Sequence, residues 1–269
     1  MAAKSSLVSR QRSIEIKVNR LFTFGCSFTQ YWRWPTWADC AGHQRDHYEN
    51  WGLCGAGNHY IFNSLIECNQ RNHLGPGDQV LIMWTNTSRE DRYVRDRWLE
   101  GGNIYWGTEL GDDYVRRFAC ERGYLIRDLA LMAAASDLLQ HWRCHWRWFS
   151  MSPLSQTNSE NQLGENTHLL PQQDADVRDL YRTVLDRMLP SVLETVFSGS
   201  WFSGQGIPDS YNDSRRDFHP TPVEHVRYLD AVAPDLVAPA ARVWMQDCEK
   251  LARAGDLAWQ QPNRPEIRL

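Results

Sequence analysis

Arg20-Leu21-Phe22-Thr23-Phe24-Gly25-Cys26-Ser27 decides the fold: a short apolar, aromatic run, closed by a glycine and leading into a polar turn. Such a run reads as a buried strand followed by a tight turn. Asp78-Gln79-Val80-Leu81-Ile82-Met83-Trp84 repeats the pattern more strongly, bounded by Gly75-Pro76-Gly77 on one side and polar residues on the other. Trp146 to Met151, closed by Pro153, gives a third strand, and His47 to Trp51 a weaker fourth, broken by Gly52, Gly55 and Gly57. Helical spacing fills the intervals. It spans Thr36 to Ala41 behind Pro35, and Asn58 to Asn72 with Ile61, Leu65 and Ile66 on one face. It continues over Asp113 to Trp142, over Val177 to Phe197 with a kink at Pro190, and over Pro222 to Ala233 and Pro239 to Ala254. Strands alternating with helices define an α/β chain: a three-layer α/β/α sandwich around a mostly parallel sheet. In such folds the site lies beyond the carboxyl ends of the strands. Ser27, Gly55 and Asn86 each follow a strand, so the topology brings all three to one edge.

The division expected is an N-terminal extension over 1–19, a main domain over 20–232 and a C-terminal helix and tail over 233–269. Two polar stretches within the domain, 87–112 and 155–175, read as insertions or loops. The 269 residues suffice for one large core. A formal net charge of −4 argues against nucleic acid, which calls for a basic surplus on one face. No signal-type apolar run opens the chain, and no window approaches the roughly 18 continuous apolar residues of a membrane span. Seven cysteines, an odd number without a CxxC pair, fit reduced thiols and a cytoplasmic location. The common zinc signatures are absent, so neither metal nor cofactor is expected. Thirteen tryptophans are many for this length. Most read as packing. Trp32, Trp34 and Trp37, close after Ser27, are the ones that suit a flat platform for a sugar or aromatic group.

Four separated segments resemble the blocks of the SGNH/GDSL hydrolase superfamily. Phe24-Gly25-Cys26-Ser27-Phe28-Thr29 is similar to its Gly-Asp-Ser-x-Thr block, and Asn50-Trp51-Gly52-Leu53-Cys54-Gly55 to its Asn-x-Gly-x-x-Gly block. Trp84-Thr85-Asn86 stands where the family has Gly-x-Asn, and His219-Pro220, with His225 beyond it, resembles the closing His-Pro block. The resemblance implies a flavodoxin-like sheet. It implies Ser27 as nucleophile, His219 as base, and an oxyanion hole of the Ser27 and Gly55 N–H groups with the Asn86 side chain. The chemistry fits these residue types. A serine hydroxyl needs a neighbouring base to accept its proton, and histidine is the side chain that exchanges protons near neutral pH. Donors aimed at the developing oxyanion contribute about 2.7–4 kcal/mol each.

The sequence departs from the family pattern in three places. Cys26 replaces the Asp beside the nucleophile, and Trp84 replaces the Gly before Asn86. The family's orienting Asp lies three residues before the His, where this chain has Arg216. Asp217 is favoured for that role, with Asp213 second and a dyad oriented by a backbone carbonyl third. Read blandly, Ser27 is a helix cap, Gly55 and Gly57 are turn glycines, and Asn86 closes a turn. Only Gly57 is expected to be nothing more, and His225 to be structural. Trp34, Trp84 and Arg89 are the candidate substrate contacts; Arg89, Arg92 and Arg95, if they face the site, suit an anionic substituent. The function expected is an esterase or deacylase on an acylated carbohydrate or another small ester. An O-acyltransferase acting on a sugar, or a carbohydrate-binding module without turnover, is the alternative.

Overall fold

β1 (Arg20–Phe24) lies inside a four-stranded parallel sheet, in the order β2-β1-β3-β6. Its neighbours are β2 (His47–Asn50) and β3 (Gln79–Trp84), and β6 (His145–Ser150) completes the sheet beyond β3. The computed structural model describes residues 20–104, 110–154, 174–198, 206–209, 212–217, 219–260 and 265. Leu21, Phe22 and Phe24 are sealed from solvent, as is the whole run Val80 to Trp84. Continuous apolar strands are what a parallel sheet requires when helices cover both faces.

Those helices are α1 (Trp37–Gly42), α2 (Asn58–Asn72), α3 (Gly111–Phe118), α4 (Glu121–Trp142) and, late in the chain, α8 (Pro222–Val232) and α9 (Pro239–Ala254). α1 packs with α8 and α9, and α2 with α4. Strand order explains the grouping. The chain steps from β1 to β2 on one side, then crosses back over β1 to β3. With right-handed crossovers this reversal puts α1 and α2 on opposite faces and opens a crevice at the carboxyl end of β1. Trp37 of α1 and Tyr228 of α8 both meet Phe149 of β6, at 5.0 and 6.0 Å between ring centres. α9 is no appendage, because Ala241 and Met245 are buried in the same core.

Three expectations change. The stretch 113–142 is two helices, since Ala119 and Cys120 are extended and the Cys120 sulfur caps α4 by accepting from Gly123 N–H. The stretch 177–197 is broken into α5 (Ala175–Leu180), α6 (Arg182–Leu185) and α7 (Val192–Thr195). Between the last two, Met188 pairs with Trp148 and Leu189 N–H donates to Trp148 O, a rudimentary fifth strand beside β6. Pro190 enforces the break, because it disfavours helix at the residue before it and has no N–H of its own. Within 87–112 lies a hairpin, β4 (Arg89–Val94) with β5 (Arg97–Asn103), turned by Arg95 and Asp96 at positive φ. The stretch 155–173 and the extension 1–19 fall outside the described residues. All seven cysteines are free thiols. Among the described residues no helix is long and apolar enough to cross a membrane.

Candidate active site

Ser27 occupies the turn leaving β1, 5% exposed. Thr29 and Gln30 N–H both donate to Cys26 O, at 2.9 and 3.0 Å, and wind the chain tightly around the serine. Gly25 is required there by close approach: a Cβ would lie 2.0 Å from Thr29 Oγ1 and 3.0 Å from Met83 O. Cys26 is fully buried, with its Sγ 3.9 Å from Met151 Sδ.

The segment after β2 is laced onto this turn. Trp51 N–H donates to Thr23 O and Leu53 N–H to Gly25 O. Asn50 accepts from Gly52 N–H at 3.0 Å and donates to Thr29 O at 2.8 Å. Gly55 then adopts φ 83°, a left-handed conformation that favours glycine. Neither the Ser27 nor the Gly55 N–H donates to another described residue. After β3, the Asn58 side chain binds both polar groups of the Thr85 backbone and so presents Asn86. Asn86 is buried, and its Oδ1 has no partner among the described residues.

The last contribution comes from a hairpin the sequence reading missed, β7 (Ile207–Asp209) with β8 (Asn212–Asp217), in which Asp217 pairs with Ile207. Ile207 packs with Tyr31 and Trp34, anchoring the hairpin beside the loop that follows Ser27. His219 Nε2 lies 3.0 Å from Ser27 Oγ, and His219 Nδ1 lies 2.8 Å from Asp217 Oδ1. The same carboxylate oxygen accepts the His219 backbone N–H at 3.0 Å. Asp217 Oδ2 accepts from the Tyr31 hydroxyl and, at 2.9 Å, from Arg33 Nη1. Burial pushes the Asp217 carboxyl up. The hydrogen bond and charge of His219, with the Tyr31 hydroxyl, outweigh this and hold it well below the usual carboxylate range. A carboxylate can only accept, so His219 Nδ1 carries a proton and Nε2 faces Ser27 with a lone pair. Tyr31 also stacks on the imidazole, 4.2 Å between ring centres and 21° from parallel. Burial and Asp217 raise the Tyr31 phenol, which therefore stays a donor. Tyr31 and Arg33 are missed by motif reading, though both lie within six residues of Ser27. The Asp213 side chain falls outside the described residues.

His225, in α8 and close enough to His219 to interact with it electrostatically, is buried, and its Nδ1 has no partner among the described residues. Burial, helped by His219, depresses its pKa to about 3. The unfolded chain binds this proton below about pH 6.5, the ordinary histidine value. The folded chain therefore excludes a proton that the unfolded chain takes up. Stability that is full above pH 6.5 is lost as the pH falls toward 3. A His225→Leu variant is expected to lose less thermal stability than the parent over that window. Parallel melting curves against pH in the two proteins would contradict this.

Two candidate substrate contacts need correcting. Trp34 is 1% exposed and Trp84 0%, so neither offers a ring face to a ligand. Trp34 donates its indole N–H to Pro220 O at 2.9 Å and packs on Tyr31, while Trp84 packs edge-on against Trp148. Trp37 is equally buried. Trp32, 53% exposed and beside Tyr31, is the indole of this group open to solvent. Arg89 turns inward, donating from Nη1 to Ala56 O at 2.9 Å. Arg92 pairs with Glu90 and Tyr114. Among the described residues no three His, Cys, Asp or Glu side chains converge as a metal site would require.

No protein-family model matches the chain, and no curated protein does. Among solved structures it is similar to the crystal structure of a GDSL-like lipase from Bacteroides thetaiotaomicron. Identity is 12% and the TM-score 0.39, over 83% of this chain and 90% of that one.

Proposed function

We propose that the chain is a serine hydrolase of the SGNH type, an esterase or deacylase acting on an acylated carbohydrate or other small ester. The observation that carries this reading is the series Ser27 Oγ, His219 Nε2, His219 Nδ1, Asp217 Oδ1, joined at 3.0 and 2.8 Å. Geometry of this kind, more than residue spacing, defines a catalytic triad. Ser27 Oγ attacks the ester carbonyl carbon while its proton passes to His219 Nε2. Negative charge then collects on the carbonyl oxygen. The Ser27 and Gly55 N–H groups and the Asn86 side-chain amide are the donors assigned to it. Asp217 offsets the positive imidazolium. Collapse expels the alcohol, which takes the proton from Nε2 and leaves the acyl group on Ser27. Water attacks this ester with Nε2 again as base, releasing the carboxylic acid and restoring the serine. Trp32, exposed and beside Tyr31, supports a sugar-bearing substrate, since an exposed indole suits the apolar face of a pyranose.

The bond between His219 and Asp217 favours turnover over a purely binding role. Incubation with a fluorophosphonate is expected to add one phosphonyl group, located on Ser27 by peptide mass spectrometry, and to abolish hydrolysis of p-nitrophenyl acetate. An unlabelled Ser27, together with no hydrolysis of short-chain acyl esters, would refute the assignment.

A further inference from the structure

The described part of the insertion between β3 and α3 reaches the site through a set of backbone and polar side-chain bonds. Gly102 N–H of the β4–β5 hairpin donates to Gly55 O at 3.1 Å, and Arg89 Nη1 to Ala56 O at 2.9 Å. Asp91 accepts from Gly57 N–H at 2.7 Å and from Tyr60 N–H at 2.9 Å. The hairpin thus grips every residue of the Gly55–Gly57 turn, and Asp91 caps the start of α2 from outside that helix. A second set of bonds reaches Asn86. Asn58, which clamps Thr85, donates to Asp128 Oδ2 at 2.7 Å. Arg127 Nε donates to Asp128 Oδ1 at 2.6 Å. Arg127 returns to the hairpin through Glu90 Oε2 at 3.0 Å and Arg89 O at 2.9 Å. Asp91, Asn58 and Asp128 are at most 1% exposed.

We infer that this hairpin is the positioning frame of the oxyanion hole, with Asp91 fixing the Gly55 N–H and the Asn58–Asp128–Arg127 chain fixing Asn86 to the same frame. The inference rests on the reading that Gly55 and Asn86 are the oxyanion donors. Two observations carry it beyond ordinary packing. The contacts converge on the two segments that supply those donors, which lie about thirty residues apart in sequence. The frame is also built of ionisable side chains, with Asp91 and Asp128 buried, and such groups contribute little net stability compared with an apolar core of the same shape. They do hold backbone geometry rigidly, and a misplacement near 1 Å at a reacting centre can cost about 100-fold in rate.

Asp91→Asn tests this. An asparagine can accept one of the two N–H groups and sets its own NH₂ against the other. For p-nitrophenyl acetate the expected result is a fall in kcat approaching about 100-fold with KM within about twofold. The decisive readout is the rate ratio between an oxo ester and its thiono analogue, whose larger, weakly accepting sulfur depends on the hole differently. That ratio is expected to fall about tenfold in the variant. Arg89→Met, which removes the hydrogen bond to Ala56 O along with the guanidinium's approach to Met151 Sδ, is expected to move kcat and the ratio in the same direction, and it stands in if Asp91→Asn does not fold. A folded variant with kcat within about threefold of the parent, or with slower turnover at an unchanged ratio, would overturn the inference alone. A parent that neither turns over esters nor reacts at Ser27 would overturn the reading beneath it as well.

Discussion

Asp217→Asn is expected to lower kcat about 10⁴-fold while leaving the fold in place. The size of the effect follows from the number of donors at this carboxylate. The His219 backbone N–H, His219 Nδ1, the Tyr31 hydroxyl and Arg33 Nη1 all point at it, and a carboxylate can accept from all of them. Asparagine has one accepting oxygen. If that oxygen faces His219, the amide NH₂ is pressed against the Arg33 cation. If it faces Arg33 and Tyr31, the NH₂ meets His219 Nδ1, which must then give up its proton and accept. The proton moves to Nε2, where the imidazole can no longer receive one from Ser27. Steady-state kinetics with circular dichroism as the fold control would check this. A loss below about tenfold in a folded variant would remove Asp217 from the triad and leave His219 oriented by its packing against Tyr31.

Gly25→Ala is the second large effect expected, and here the loss is one of stability. The added methyl would sit 2.8 Å from Thr29 Cβ as well as 2.0 Å from its hydroxyl, so rotating the threonine gives no relief. Met83 O, on the other side, belongs to a buried strand of the sheet. The turn after β1 must shift as a unit, at a cost of about 3 kcal/mol. Urea unfolding should show the midpoint moving with little change in slope. A cost under about 1 kcal/mol would mean that the turn relaxes freely, and the variant should then retain its activity.

The sheet and the ends of its first three strands were legible because their signals are local. A buried parallel strand needs a largely apolar run, and Leu21 to Phe24, with Thr23 as its one polar residue, and Val80 to Met83 supply one each. Glycine at 25 and 55 reads as backbone freedom without any knowledge of partners. What sequence reading misplaced depends on contacts made at a distance. Trp34 and Trp84 look like substrate contacts because they neighbour Ser27 and Asn86 along the chain, yet both are buried in the fold. The strand carrying Asp217 is polar throughout and pairs with a strand of only three residues, so no periodicity announces it. Its docking depends on Ile207, Tyr31 and Trp34, which meet only in the folded chain. Nothing in the sequence neighbourhood of Asp91 or Asp128 reveals what these carboxylates hold.

Ser27 and His219, the proposed nucleophile and base, stand 192 positions apart, and this separation orders events during synthesis. β1, β2 and β3 emerge early and can pair while the carboxyl-terminal third is still being made. At that stage Ser27 lacks both imidazole and carboxylate, so a half-made chain carries an inert alcohol. The loop bearing Tyr31 takes its final support later still, when Trp259 donates its indole N–H to Tyr31 O. On the proposed reading, competence arises only once His219 and Asp217 have joined Ser27, and a product truncated before them lacks a hydrolytic centre.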